Sequence, residues 1–190
     1  MTDTMIEHDV VDLLIGQHTQ IRSLFLDVEA ASGDARHEAF HRLVRLLAVH
    51  ETAEEQVVRP LTRRYVHGGN EIADDRNAEE HDAKETLVAL EEMGPDAPEF
   101  TRLLGQLRDS VLEHAAKEEA YEFRYLRRHV PAVQLRALTP VVKAAAAAAP
   151  TRPHPGVESA TVNTLLGPAL SIFDRTRDLV RKLLAPLEAK

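Results

Sequence analysis

A histidine followed four residues later by a glutamate occurs twice on otherwise apolar helical stripes, as His50-x-x-x-Glu54 and His114-x-x-x-Glu118. A spacing of four turns a helix by about 400° and advances it by about 6 Å, so each pair points from one face into one place. Two more histidines, His18 and His81, fall on stripes of their own. Imidazole and carboxylate in the absence of any cysteine suit iron, manganese or zinc, and two carboxylates able to bridge suit a pair of ions. Alone, each signal is weak: a single His on an apolar seam is commonly a hydrogen-bonded core residue, and one His-x-x-x-Glu is commonly a solvated helix pair. Six metal-competent side chains on four buried stripes are another matter, since without a shared partner their burial is very costly. His18, His50, Glu54, His81, His114 and Glu118 are therefore the candidate metal ligands.

The elements that must position them are helices. The first stripe reads Val11, Leu14, His18, Ile21, Phe25, Val28 and ends at the glycine of "ASGD". The second runs from an N-cap at about Asp34 to Tyr65, through Phe40, Leu43, Leu47, His50, Glu54, Val57 and Leu61, and "HGGN" closes it. The third spans roughly 72–93, with His81 and Val88 on one face, and stops at "GPDAP". The fourth reads Phe100, Leu104, Leu107, Val111, His114, Glu118, Tyr121, Tyr125 and ends before Pro131. Alternating steps of three and four joined by short connections predict an all-α, up-down-up-down four-helix bundle over 1–130. A short helical extension follows at 131–149, with a helix start expected at Thr139-Pro140, then a proline-rich linker at 150–156. A last amphipathic helix at 157–190, carrying Leu165, Ile172 and Leu179, is expected to pack on the bundle or a partner.

Composition agrees with that class. Hydrophobic residues make up 44%, aromatics only 4%, and there is no Trp. A net charge of −8 argues against nucleic acid as the main partner, because phosphate binding needs clustered Lys and Arg. The amino terminus lacks a basic segment and no apolar run is long enough for a bilayer, so a cytoplasmic protein with no membrane partner is expected, a monomer or weak homo-oligomer. His37 and His41 share a spacing of four, but His41 lies off the stripe marked by Phe40 and Leu43, and both read as surface residues.

Over residues 8–130 this ordered set resembles the hemerythrin-like, or HHE cation-binding, family of bacterial type. The resemblance implies two iron ions, oxo- or hydroxo-bridged, inside the bundle. His18 and His50 would bind one iron, His81 and His114 the other, and Glu54 and Glu118 would bridge. The oxygen-carrying members have a second histidine on the third helix four residues from the first, where this chain has Glu85. Glu85, the neighbouring Glu51, or water would fill that place. A more anionic, harder centre favours ferric iron and speaks against reversible oxygen carriage. The expected reactions are with O2, H2O2 or NO, foremost catalase-like peroxide disproportionation or related oxidative-stress detoxification, with Tyr121 near the bound molecule. Oxygen or redox sensing, iron storage, and a metal-free helical interaction module are the alternatives.

Overall fold

The computed structural model describes residues 8–148, and among them every regular element is helical. The expected helix at 157–190 and the linker at 150–156 lie outside the described residues.

Helix α1 (Val10–Ala30) starts on a capping box in which the Asp9 carboxylate accepts from the Asp12 N–H and the Asp12 carboxylate accepts from the Asp9 N–H. Helix α2 (Gly33–Ala53) begins one residue ahead of the expected Asp34 cap, with Ser32 at the cap position. It passes without a break through a π-helical turn (Glu54–Val58) into α3 (Arg59–Tyr65). The connection to α4 (Gly69–Met93) is tight: Gly68 adopts φ 70°, and a Cβ on Gly69 would run into the Thr62 carbonyl oxygen. Helix α4 stops at Gly94, again at positive φ. Helix α5 (Phe100–Lys117) continues through a second π-helical turn (Glu118–Glu122) into α6 (Phe123–His129).

The four long rods close a ring, α1 on α2, α3 on α4, α4 on α5 and α5 back on α1, so the bundle is the expected up-down-up-down fold. Helix α7 (Ala132–Ala148) packs across α1 and α2. It does not restart at Thr139: Pro140 lies inside it. An interior proline costs about 3 kcal/mol, and burial of Leu135, Leu138, Val141 and Val142 on both sides of it holds the rod together.

Two apolar clusters fill the interior. One, at the α7 end, joins Val10, Val11 and Leu14 to Val57, Leu61, Phe123, Leu126 and Leu138. The other, at the far end, joins Ile21, Phe25 and Val28 to Phe40, Leu43, Leu90, Phe100 and Leu104. Along α1, His18 falls between Leu14 of the first cluster and Ile21 of the second. The polar residues thus occupy the waist of the bundle, sealed above and below by hydrocarbon. No described helix is long and apolar enough to cross a membrane.

Candidate metal centre

At the waist, α1 contributes His18, α2 His50, and the two π-turns contribute their first residues, Glu54 and Glu118. In each turn the glutamate carbonyl accepts from the N–H five residues on, Arg59 for Glu54 and Phe123 for Glu118. The extra residue per turn keeps 54, 58, 62 and 66 buried in one rod and 118, 122, 126 and 130 in the other.

His18 Nε2 lies 3.4 Å from Glu118 Oε2 and 3.7 Å from Glu54 Oε1, and His50 Nε2 lies 3.0 Å from the same Glu54 oxygen. His114 Nε2 approaches from the opposite side, 3.4 Å from Glu118 Oε1 and 3.8 Å from Glu54 Oε2. Every one of these imidazoles is aimed by its other nitrogen. Nδ1 of His18 donates to Glu119 at 2.8 Å, that of His50 to Gln17 at 2.9 Å, and that of His114 to Glu79 at 2.9 Å. In its neutral form a ring that donates through Nδ1 presents an Nε2 lone pair inward, the arrangement that orients histidine toward a metal. Yet His18 Nε2, His114 Nε2, Glu54 Oε1 and Glu118 Oε2 are buried without a hydrogen-bond partner. Orphaned buried polar atoms that converge from several elements are costly on their own. With N and O donors and no sulfur, they fit a hard to borderline divalent cation.

The electrostatics show what holds the cluster together without one. Burial alone would lower the His18 pKa, but contact with Glu118 and Glu54 outweighs it and raises it to about 10. His114 is raised to about 11 in the same way. Burial pushes Glu54 up, and the three imidazoles around it more than reverse this, holding it well below the usual carboxylate range.

His81 does not reach this centre. Its side chain is 71% exposed on the outside of α4 and pairs with Glu85, 72% exposed, at 3.5 Å. The inward face of α4 runs through Ala73, Glu80 and Leu90, so the residue presented to the centre is Glu80; Val88, taken as a marker of the inner face, is exposed as well. Glu80 Oε1 sits 3.8 Å from His114 Nε2, and burial, opposed by Arg59, raises its pKa to about 7. Glu51 lies at the edge of the site, paired with Lys84. Tyr121 is exposed, because the second π-turn rotates it outward and brings Glu122 in.

The sequence reading also missed Arg59. The residue is 3% exposed, and its guanidinium bonds Glu118 Oε1 at 2.6 Å, Glu122 Oε1 at 3.1 Å and Glu80 Oε1, with Glu54 Oε2 at 3.8 Å. Thr62 Oγ1 donates to Glu122 at 2.9 Å. Two four-residue sets with donor atoms in mutual reach result: His18, His50, Glu54 and Glu118, and Glu54, Glu80, His114 and Glu118. A third set, Glu51, Glu55 and Glu80, lies on the outer side of Glu80.

Comparison with known proteins agrees with this geometry. A DNA nickase from Nostoc sp. is 27% identical over 140 residues, 72% of this chain but only 39% of the relative's length. A hemerythrin-like protein from Schizosaccharomyces pombe is 24% identical over 176 residues, covering 91% of this chain and 87% of the relative. No solved structure matches the chain significantly. Residues 9–126, the span that holds the whole cluster and all of the four rods but the last few residues of α6, match the hemerythrin HHE cation binding domain, and the chain belongs to that family.

Proposed function

We propose that the chain is a non-haem di-iron protein that consumes peroxide by disproportionation, with O2 and NO as related small-molecule reactants. The observation that carries this reading is the convergence of four orphaned donor atoms, His18 Nε2, His114 Nε2, Glu54 Oε1 and Glu118 Oε2, at the sealed waist of the bundle. His18, His50, Glu54 and Glu118 would hold one iron, and His114, Glu80, Glu54 and Glu118 the other, so Glu80 takes the role first expected of His81. Bound iron would supply a two-electron reservoir, given to one peroxide as its O–O bond is cleaved to water and recovered from a second that leaves as O2.

The protein's own part is to select and shelter. A cavity of about 70 Å³ reaches His18, His50 and His114 between apolar walls from Ile21, Leu47, Leu87, Leu107 and Val111. Such walls favour small neutral molecules over anions and bulk water. Three carboxylates among the would-be donors, Glu54, Glu80 and Glu118, make the centre hard, which favours the ferric state and electron release to the bound molecule. The reading includes a cytoplasmic monomer or weak homo-oligomer. The nickase activity of the Nostoc relative is not carried over, because this chain spans 39% of that protein and its own net charge is −8.

The test mixes the anaerobically loaded ferrous protein with oxygen, then with peroxide, under optical detection. Rapid oxidation followed by catalytic oxygen release from peroxide, lost in Glu118→Ala, is the expected result. An oxygen complex that reverses under vacuum overturns it in favour of carriage, and oxidation without turnover in favour of sensing or storage. Failure to bind iron at all returns the chain to the metal-free interaction module.

A further inference from the structure

We infer that Arg59 is a resident cation in the second half of the centre, so that the two metal positions load in order: the His18–His50 half first, and the His114–Glu80 half only as the guanidinium gives up its place. This inference rests on the metal-binding reading above and adds to it.

The two carboxylates shared by both halves face them with different atoms in different states. On the His18 side, Glu54 Oε1 and Glu118 Oε2 are buried and have no hydrogen-bond partner. An ion arriving there meets only imidazoles that would become its own ligands, His50 Nε2 at 3.0 Å from Glu54 Oε1 and His18 Nε2 at 3.4 Å from Glu118 Oε2, and no guanidinium. On the other side, Glu118 Oε1 accepts from Arg59 Nη2 at 2.6 Å, and Glu80 Oε1 is bonded by the same nitrogen. Both oxygens lie beside His114 Nε2, at 3.4 Å and 3.8 Å, with Glu54 Oε2 also at 3.8 Å. One guanidinium nitrogen therefore engages two of the donor atoms that the second ion would need. It is fixed from behind by Glu122, whose carboxylate accepts from Arg59 Nη1 at 3.1 Å and 3.3 Å and belongs to neither four-residue set.

A divalent ion and a buried guanidinium cannot share the same oxygens without repulsion, and neither is cheaply left without a partner. The second ion must offset the loss of these guanidinium bonds, whereas the first displaces no side chain that is not itself a ligand.

The experiment is anaerobic titration of the metal-free full chain with ferrous iron, followed by calorimetry, with bound iron counted after gel filtration. The expected wild-type result is two unequal steps, the second weaker by about tenfold or more, or one ion alone. Arg59→Met is expected to bring the two steps together, or to raise one bound ion to two. Glu122→Gln, which loosens the guanidinium without touching a donor of either set, is expected to narrow the gap less, and it decides the matter if Arg59→Met does not fold without iron. Two equal steps in the wild type overturn the inference and leave the di-iron reading standing, as does a gap or stoichiometry that neither variant changes. No bound iron in any form overturns both.

Discussion

The two rods that carry the bridging glutamates are near copies of one another, and they differ where it matters. Each has a histidine, a glutamate four residues on, a π-turn that begins at that glutamate, and an inward side chain where the turn ends. That last side chain is Phe123 in one rod and Arg59 in the other. Phe123 stacks on the His18 ring at 5.7 Å with the planes 10° apart, and gives its half an apolar wall. Arg59 lies against Glu80 in the corresponding place and gives its half a fixed charge. The preceding residue differs in the opposite sense: the acid Glu122 is buried ahead of Phe123, and the apolar Val58 ahead of Arg59. One rod supplies the acid and the other the base, so the buried pair spans the bundle rather than closing within one rod. A duplicated frame has thereby been given two unlike halves by changes at two adjacent positions, with the shared geometry left intact.

The largest effect should come from the side chains that belong to both halves. Glu54→Ala or Glu118→Ala should remove both irons, while His81→Ala and His41→Ala leave the metal content at the wild-type value; elemental analysis after reconstitution reads the difference. Loss at His81 comparable to loss at Glu118 would mean that the exposed face of α4 turns inward on loading.

The next contrast is between Arg59→Met and Phe123→Ala in the metal-free protein. Removing one partner of a buried ion pair costs about 3–5 kcal/mol, and emptying a buried phenylalanine site costs about as much. The two losses should respond differently to iron. A divalent ion replaces the missing charge in Arg59→Met and restores its thermal stability, but it cannot fill the space left in Phe123→Ala. Equal recovery of both, measured by melting with and without iron, would break the distinction between a charged and an apolar half.

A smaller and more selective effect is expected from the side chains that aim the imidazoles. Gln17→Ala acts on His50 and Glu79→Ala on His114. Each should weaken iron binding about 10–100-fold, the first in the tighter step and the second in the weaker one. If both change the same step, the halves are not separate sites.

The bundle itself was legible in the sequence because steps of three and four persist through α1, α2 and α5, and five of the six expected ligands lie on those stripes. The misses have definite causes. Helix α4 is largely exposed, with few apolar residues to mark its inner face, so Val88 could mislead; the series Ala73, Glu80, Ala83, Leu87, Leu90 carries the correct phase. Tyr121 was placed by continuing a regular period through a stretch where the helix inserts an extra residue, and nothing in "EEAYE" announces that insertion. Arg59 escaped because an arginine beside a proline reads as surface. Only superposing the two rods, which sets it opposite Phe123, could have signalled that it faces inward.

The smallest expected effect concerns the outer support of the apolar half, the start of the helix that carries His18. Burial raises the Asp12 pKa, but the Asp9 N–H and Arg127 outweigh it and hold it below its ordinary value. A depressed folded pKa contributes stability that is present above the unfolded value of 3.8 and is lost as the pH falls through the folded one. Asp12→Asn should cost about 0.5 kcal/mol at neutral pH through the weakened capping box. Its melting curve should converge on that of the wild type in acid, and a deficit that persists there would assign the effect to packing.

The π-turns have a consequence for how this chain tolerates changes in length. Each is a one-residue surplus held in a continuous rod, so deleting a residue from 55–57 or 119–121 would let the segment relax to the commoner α-helical pitch. The Glu54 carbonyl would then accept from the Arg59 N–H, or the Glu118 carbonyl from the Phe123 N–H, as an ordinary bond four residues apart, so Arg59 and Phe123 would keep their places at the waist. The same loss in a regular stretch of either rod would swing everything beyond it by about 100° about the rod axis. The turns are therefore the places where these rods can shed a residue and stay in phase. A single-codon loss there would be absorbed, and one elsewhere along the rod would desynchronise the half of the centre that it carries.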